Sequence, residues 1–152
     1  MAEVKMEKYY QAYDKRYQQI HNLKLQWSSD VVTPILQELT VQFGIRKTDK
    51  ILEIGCGEGR DALWLLEQGY DVLATDVSKE AISYCKKKNS KFSHLFFQLD
   101  VCEERLPQTF KFIYSISVIH MLVNQEDRNR FLTFIRDHLD EDGYELSLIH
   151  IW

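Results

Sequence analysis

ILEIGCGEGRDALWLLEQGYDVLATDVS, residues 51–78, is the stretch on which the fold turns. It opens with a short apolar run and passes through three glycines. Ala62, Leu63, Leu65 and Leu66 then fall at helical spacing, Gly69 ends that helix, and a second apolar run finishes on Asp76. The reading is strand, glycine turn, helix, strand. Two strands joined through a helix lie parallel, and the right-handed crossover puts the turn at the carboxyl edge of the sheet, where such sheets hold ligands.

The alternation continues downstream. Residues 95–99 read as a third strand, residues 110–118 as a fourth that is apolar enough to be central, and a last strand starts at Tyr144 after an Asp142-Gly143 turn. Ser78 can cap a helix carrying Ala81, Ile82 and Cys85. Asn124 caps another, with Glu126 and Asp127 in its first turn, where they complement the helix dipole, and with Phe131, Leu132, Ile135 and Leu139 as its buried face. The expected fold is α/β: a Rossmann-like, doubly wound, mainly parallel sheet in three αβα layers, preceded by N-terminal helices.

Of those helices, residues 4–25 carry Met6, Tyr9, Tyr10, Tyr13, Tyr17 and Ile20 on one face. The tyrosine stripe reads as core, with closure over a ligand site as the alternative. Ser28, Ser29 and Asp30 offer caps for the second helix. Pro34 fits its first turn, Ile35, Leu36, Leu39 and Phe43 line one side, and Gly44 stops it.

A chain of 152 residues fits one domain, divided into a helical cap over residues 1–48 and a core over residues 49–145. A net charge of −4 gives no general attraction to nucleic acid or to an anionic membrane. The short basic cluster at residues 85–89 reads as a solvated helix end. Three cysteines match neither a zinc spacing nor a disulfide framework, so no metal is expected and reduced thiols in the cytoplasm fit best. No apolar run reaches membrane-spanning length, and MAEVKMEKYY lacks the pattern of a signal peptide.

Gly55, Gly57 and Gly59 are spaced G-x-G-x-G, whereas a dinucleotide turn needs G-x-G-x-x-G and here shows Arg60 at its third position. A phosphate loop is excluded more firmly, because no G-K-[S/T] follows. Glu53 just before the turn and Glu58 inside it would repel phosphate and favour positive charge. Asp76 is placed to accept hydrogen bonds from a ribose diol, and Asp100, ending the third strand, can accept one from an adenine amino group. A ligand with an adenosine half and a cationic half satisfies all four acids.

With E-x-G-C-G-x-G at residues 53–59, the acid ending strand two, FFQLDV at 96–101 and FKFIYSISVIHML at 110–122, the chain resembles the class I S-adenosylmethionine-dependent methyltransferases over roughly residues 49–143. The GRDALWL run is similar to small-molecule members such as the thiopurine and tellurite-resistance types. The resemblance implies S-adenosyl-L-methionine as cofactor, with Glu53, Gly55, Cys56 and Gly57 around its methionine half and Gly59 also among the cofactor-binding residues. Asp76 and Val77 would hold the ribose and flank the adenine, Asp100 and Val101 would meet the adenine edge, and residues 115–117, Ser117 among them, would floor the pocket. The family's usual acid at the start of strand four is missing, with Lys111 or Phe112 in its place.

Methyl transfer from a sulfonium needs geometry and desolvation more than acid–base chemistry. Where an acceptor must lose a proton, His120 just past strand four is the first candidate, and His21 with the tyrosines the second. Neither an N/D-P-P-Y/F run nor a Pro-Cys pair occurs, which argues against adenine-N6 and cytosine-C5 DNA methylation, and no second glutamate pair follows strand four as in the protein-arginine enzymes. The expected acceptor is therefore a small molecule. A non-catalytic binding or assembly module on the same fold is the alternative. The resemblance also implies seven strands, so the family's last strands are expected to be missing; residues 146–152, LSLIHIW, can pass for a strand, and a translated adapter scar is the favoured reading.

Overall fold

The computed structural model describes residues 6–149. Ten regular elements lie among them in chain order: α1 (Tyr13–Asn22), α2 (Pro34–Gln42), β1 (Lys50–Ile54), α3 (Arg60–Glu67), β2 (Asp71–Asp76), α4 (Lys79–Lys88), β3 (Phe96–Gln98), β4 (Phe110–Ile116), α5 (Gln125–His138) and β5 (Leu139–Leu148). The strands form one sheet in the order β3-β2-β1-β4-β5, and every pairing is parallel. The strand order reverses between β1 and β4, which is where a doubly wound sheet opens its crevice.

Period-two alternation sorts the core onto two faces. Ile51, Val72, Ala74, Phe112 and Tyr114 point to the side covered by α2, α3 and α4, where Leu36, Ala62, Leu65 and Ile82 meet them. Leu52, Ile54 and Ile113 point to the other side, against Phe131, Phe134 and Ile135 of α5 and Leu99 of the loop after β3. Each large side chain buried this way contributes roughly 1.5–3 kcal/mol, so these two clusters outweigh any single polar contact.

Several expected boundaries shift. The first helix does not run over residues 4–25. A 3-10 turn over Tyr9–Ala12 precedes α1, Met6 is exposed, and Val4 lies outside the described residues. The cap of α2 is Thr33, one residue before Pro34, rather than Ser28, Ser29 or Asp30, whose segment is held elsewhere. The third and fourth strands end at Gln98 and Ile116. In α5 the buried face is Phe131, Phe134, Ile135 and His138, with Leu132 exposed and Leu139 opening β5. Counting i, i+3, i+4, i+7 from Phe131 gives that set, so the period was right and Leu132 was placed out of phase. No separate Asp142-Gly143 turn forms. Residues 139–148 are one strand with an irregularity opposite Phe110 and Phe112, and Leu146, Ser147 and Leu148 pair with Tyr114, Ser115 and Ile116. His150, Ile151 and Trp152 lie outside the described residues.

Candidate functional site

A cavity of about 620 Å³ sits over the carboxyl ends of β1, β2, β3 and β4. Its volume falls in the range of small-molecule sites. Five acids border it, Glu53, Glu58, Asp61, Asp76 and Asp100, and Arg60 is the one cation among the described lining residues.

The glycine turn spends its own donors internally. The amides of Gly55 and Cys56 both donate to Thr75 O at 2.8 Å, that of Gly59 donates to Cys56 O at 2.9 Å, and that of Gly57 donates to Asp76 Oδ2 at 2.8 Å. The second oxygen of Asp76 accepts from the Ser78 amide at 2.8 Å. A pyrophosphate would need such amides free. Gly57 has φ +53°, and a Cβ there would lie 2.8 Å from Tyr17 Oη, so both the backbone and the neighbour demand glycine. A Cβ at Gly55 would come within 2.3 Å of Val118.

Glu53 is buried at the end of β1 and accepts from Tyr114 Oη at 2.9 Å, the two residues being register partners on adjacent strands. Burial and the nearby Asp61 charge push its carboxyl well above the ordinary carboxylate range. Burial likewise raises Asp76, against the pull of its two amide donors. Such carboxyls gain from a cationic or hydrogen-bond-donating guest.

Glu58 differs. Its oxygens accept from the amides of Trp27 and Ser28 at 2.8 Å, from Ser28 Oγ at 2.7 Å, and face His21 Nε2 at 2.9 Å. Burial alone would raise its pKa, but the Ser28 and Trp27 amides outweigh it and hold the carboxyl below its ordinary value. Glu58 therefore anchors the N-terminal segment more than it offers charge to a guest.

That segment, residues 8–33, is stitched over the cavity by carboxylates. Lys8 pairs with Asp127 of α5, Tyr10 and Gln11 donate to Asp100, and Asp14 accepts from Ser78 Oγ and the Glu80 amide at the start of α4. His21 bridges Glu58 and Glu80 while stacking on Tyr84 at 4.4 Å, and the amide and hydroxyl of Thr33 donate to Asp61. The tyrosine stripe is consequently not plain core: Tyr10, Tyr13 and Tyr17 line the cavity with Trp27, whose ring lies 6.3 Å from that of Tyr13 and 5.9 Å from that of Tyr17.

Glu53, Gly55, Cys56, Gly57, Asp76, Val77, Asp100, Val101 and Ser117 all come together on the cavity wall. Gly59 does not. It caps α3 facing away, where a Cβ would press on Cys85 and Phe96. Ser115 also turns away and shares a hydrogen bond with Ser147 of β5, leaving Ile116 and Ser117 as floor. Asp100 is both a wall residue and a turn residue, accepting from the Cys102 amide. His120 is exposed and off the cavity, and His21 is engaged as a bridge. Of Lys111 and Phe112, Lys111 pairs with Asp142 at the far end of the strand and Phe112 is buried in the core. Residues that sequence reasoning passed over are Arg60, Asp61 and Thr33, joined in one network, and Trp27, Met121, Leu122 and Phe131 on the apolar walls. A threonine before Pro34 and an Arg-Asp pair opening a helix were the signals available.

Sheet order and turn define the class: a doubly wound α/β protein with its site at the carboxyl edge. Residues 51–143 match the family described as "Methyltransferase domain", and the chain belongs to it. It is 30% identical over 101 residues to a probable S-adenosyl-L-methionine-dependent methyltransferase, TehB, of Haemophilus influenzae, covering 64% of this chain and 34% of that protein. It is 30% identical over 125 residues to a putative methyltransferase of Geobacillus sp., covering 80% and 50%. Among solved structures, a TehB-like SAM-dependent methyltransferase from Corynebacterium glutamicum superposes with a TM-score of 0.61 at 25% identity, covering 88% of this chain and 69% of that one. The glycopeptide N-methyltransferase MtfA reaches 0.67 at 20% identity, covering 79% and 53%, a likeness of fold alone. The chain spans about a third to a half of the length of these two curated relatives.

Proposed function

We propose that the chain is the cofactor-binding core of an S-adenosyl-L-methionine-dependent methyltransferase acting on a small-molecule acceptor by in-line displacement. The observation that carries this reading is the glycine turn, whose amides are spent on Thr75, Cys56 and Asp76 while acids surround it. A turn so built suits a guest with a sugar and a positive charge and disfavours a phosphate chain.

The residues fit that guest by shape and charge. Asp76 and Val77 would hold the ribose and flank the adenine. Asp100 and Val101 would meet the adenine edge, and Glu53, Gly55, Cys56 and Gly57 would border the amino-acid half. Gly55 and Gly57 let the turn pack directly against Val118 and Tyr17, where a Cβ would collide. When bound, S-adenosyl-L-methionine supplies an electrophilic methyl on a sulfonium whose leaving group is a neutral thioether. Tyr13, Tyr17 and Trp27 line the side formed by the N-terminal segment, and an aromatic face turned to the guest would favour its positive charge. Ser117, held at φ +59° with its amide bonded to Leu148 O, fixes the floor against which an acceptor would align. No histidine or lysine lines the cavity among the described residues, so a protein base, where an acceptor needs one, would come from its tyrosines or carboxylates. Three buried free thiols, Cys56, Cys85 and Cys102, accord with a reducing compartment.

Calorimetric titration with S-adenosylhomocysteine tests the reading. Binding by the wild-type chain that is lost in Asp76→Ala supports it. Binding of a nicotinamide dinucleotide in place of the thioether would overturn it. Incubating the protein with labelled methyl donor and a metabolite extract then checks the acceptor class, label on a macromolecule alone being the contrary result.

A further inference from the structure

The three cysteines are free and buried, and the structure divides them. Cys56 of the glycine turn and Cys85 of α4 lie in the core cluster beneath α3 and α4, whereas Cys102 lies in the cluster beneath α5. The first two meet at one backbone oxygen: Cys85 Sγ donates to Gly57 O at 3.2 Å, and Cys56 Sγ reaches the same oxygen at 3.8 Å. Cys56 also engages the Cys85 thiol, and that contact, followed by burial, pushes the Cys56 thiol well above its ordinary value. A Cβ at Gly59 would lie 3.0 Å from Cys85 Sγ, so the turn packs directly on that sulfur. Access separates the pair: Cys85 is sealed in the interior, while Cys56 lines the cavity. Methyl transfer from a sulfonium calls on neither sulfur.

We infer that Cys56 and Cys85 form a dithiol that a small-molecule disulfide entering the cavity converts to an internal disulfide, and that this bond and the methyl donor exclude one another. The step is thiol–disulfide exchange. Cys56, as thiolate, attacks one sulfur of the entering disulfide and releases the first small thiol. Cys85 then attacks Cys56 Sγ, forming the internal bond and releasing the second, and the two cysteine protons end on the departing thiols. Two cysteine thiols are oxidised while one external disulfide is reduced. The raised Cys56 thiol makes the first attack slow at neutral pH, and the neighbouring sulfur makes the second intramolecular. A disulfide holds its sulfurs about 2 Å apart. Cys85 is fixed in one packed cluster with Leu65, Ile82 and Phe96, so the movement that closes the gap falls on the turn, where Gly55, Cys56 and Gly57 border the cavity. Exclusion of the donor rests on the reading above, whereas formation of the bond does not.

The test equilibrates the wild-type chain in glutathione buffers of rising oxidised fraction, then blocks free thiols by alkylation and maps the peptides by mass spectrometry. A Cys56–Cys85 link should form while Cys102 stays alkylated. By calorimetry the linked chain should bind S-adenosylhomocysteine about 10- to 100-fold more weakly than the reduced one, and dithiothreitol should restore the affinity. By linkage, saturating S-adenosylhomocysteine should shift the dithiol equilibrium toward the reduced form by the same factor. Cys85→Ser, or Cys85→Ala if the serine variant melts early, should stop at a mixed disulfide between Cys56 and one glutathione. An absent link at every buffer ratio, a link through Cys102, or a Cys56 left unmodified in both Cys85 variants would overturn the dithiol while leaving the donor reading in place. A link that leaves affinity unchanged would overturn the exclusion. A chain that forms the link yet binds no S-adenosylhomocysteine when reduced would overturn the donor reading and leave the dithiol standing.

Discussion

The turn after β1 and the segment that lies over it, residues 8–33, meet at the same cavity but are held by different physics. The turn is fixed by the sheet: Glu53 and Asp76 end central strands whose faces are both covered, and the glycine amides close on β2. The overlying segment is fixed by side-chain carboxylates on Asp14, Glu58, Asp61, Asp100 and Asp127. A cavity floor made by backbone pairing cannot be tuned without disturbing the sheet. A roof made by acid-to-amide bonds can be loosened one residue at a time.

The sharpest way to break this contrast is at the floor. Asp76→Ala removes the acceptor for Gly57 and Ser78 and should weaken S-adenosylhomocysteine binding by about 100-fold or more, as expected for losing two hydrogen bonds to a charged group. Calorimetry gives the number, and a change under tenfold would mean that the turn does not need its acid.

Glu58→Gln probes the roof. The amide side chain keeps one acceptor where the carboxylate served four donors, so the variant should lose about 2 kcal/mol of stability. Hydrogen exchange at Trp27 and Ser28 should quicken while β1 and β2 keep their protection. Uniform loss of protection across the sheet would show that the two regions are one cooperative unit.

Acid separates the regions by sign. Glu53 and Asp76 sit above their ordinary values, so each binds its proton more readily folded than unfolded, and lowering the pH relieves their burial penalty. Glu58 and Asp14 sit below theirs, so the stability they supply is present at neutral pH and is lost as the pH falls below about their ordinary values of 4.5 and 3.8. Acidification should therefore weaken binding before it weakens the fold, by up to about tenfold per pH unit once Glu53 takes its proton. Affinity and melting temperature measured together from pH 8 to 4 would reveal a simultaneous fall if the contrast were wrong.

Tyr10→Phe, which deletes one hydrogen bond to Asp100, should cost about threefold to tenfold in affinity. His120→Ala should change binding and stability least, within about twofold, because the imidazole is exposed and off the cavity. Titration and thermal melts of the two variants side by side check that ranking.

The floor was legible in the sequence because its determinants are local. Period-two strands, a helix of eight residues and three glycines in five positions lie within one short stretch, and they placed Glu53, Asp76 and Gly57 on the site before any coordinates. The roof was not legible, since its bonds join residues far apart in the chain: Lys8 to Asp127 across 119 positions, Tyr10 to Asp100 across 90, Trp27 to Glu58 across 31. A helical stripe of tyrosines looks the same whether it faces a core or a hollow. Gly59 and Ser115 show a subtler limit, because a motif gives positions while the pleat and the helix phase decide which way each one faces.

α1 buries no residue completely, and it is tied to the body through Asp14 at the start of α4 and through His21 between Glu58 and Glu80, contacts that depend on charge. Acid and salt therefore act on what covers the hollow before they act on the backbone pairing beneath it.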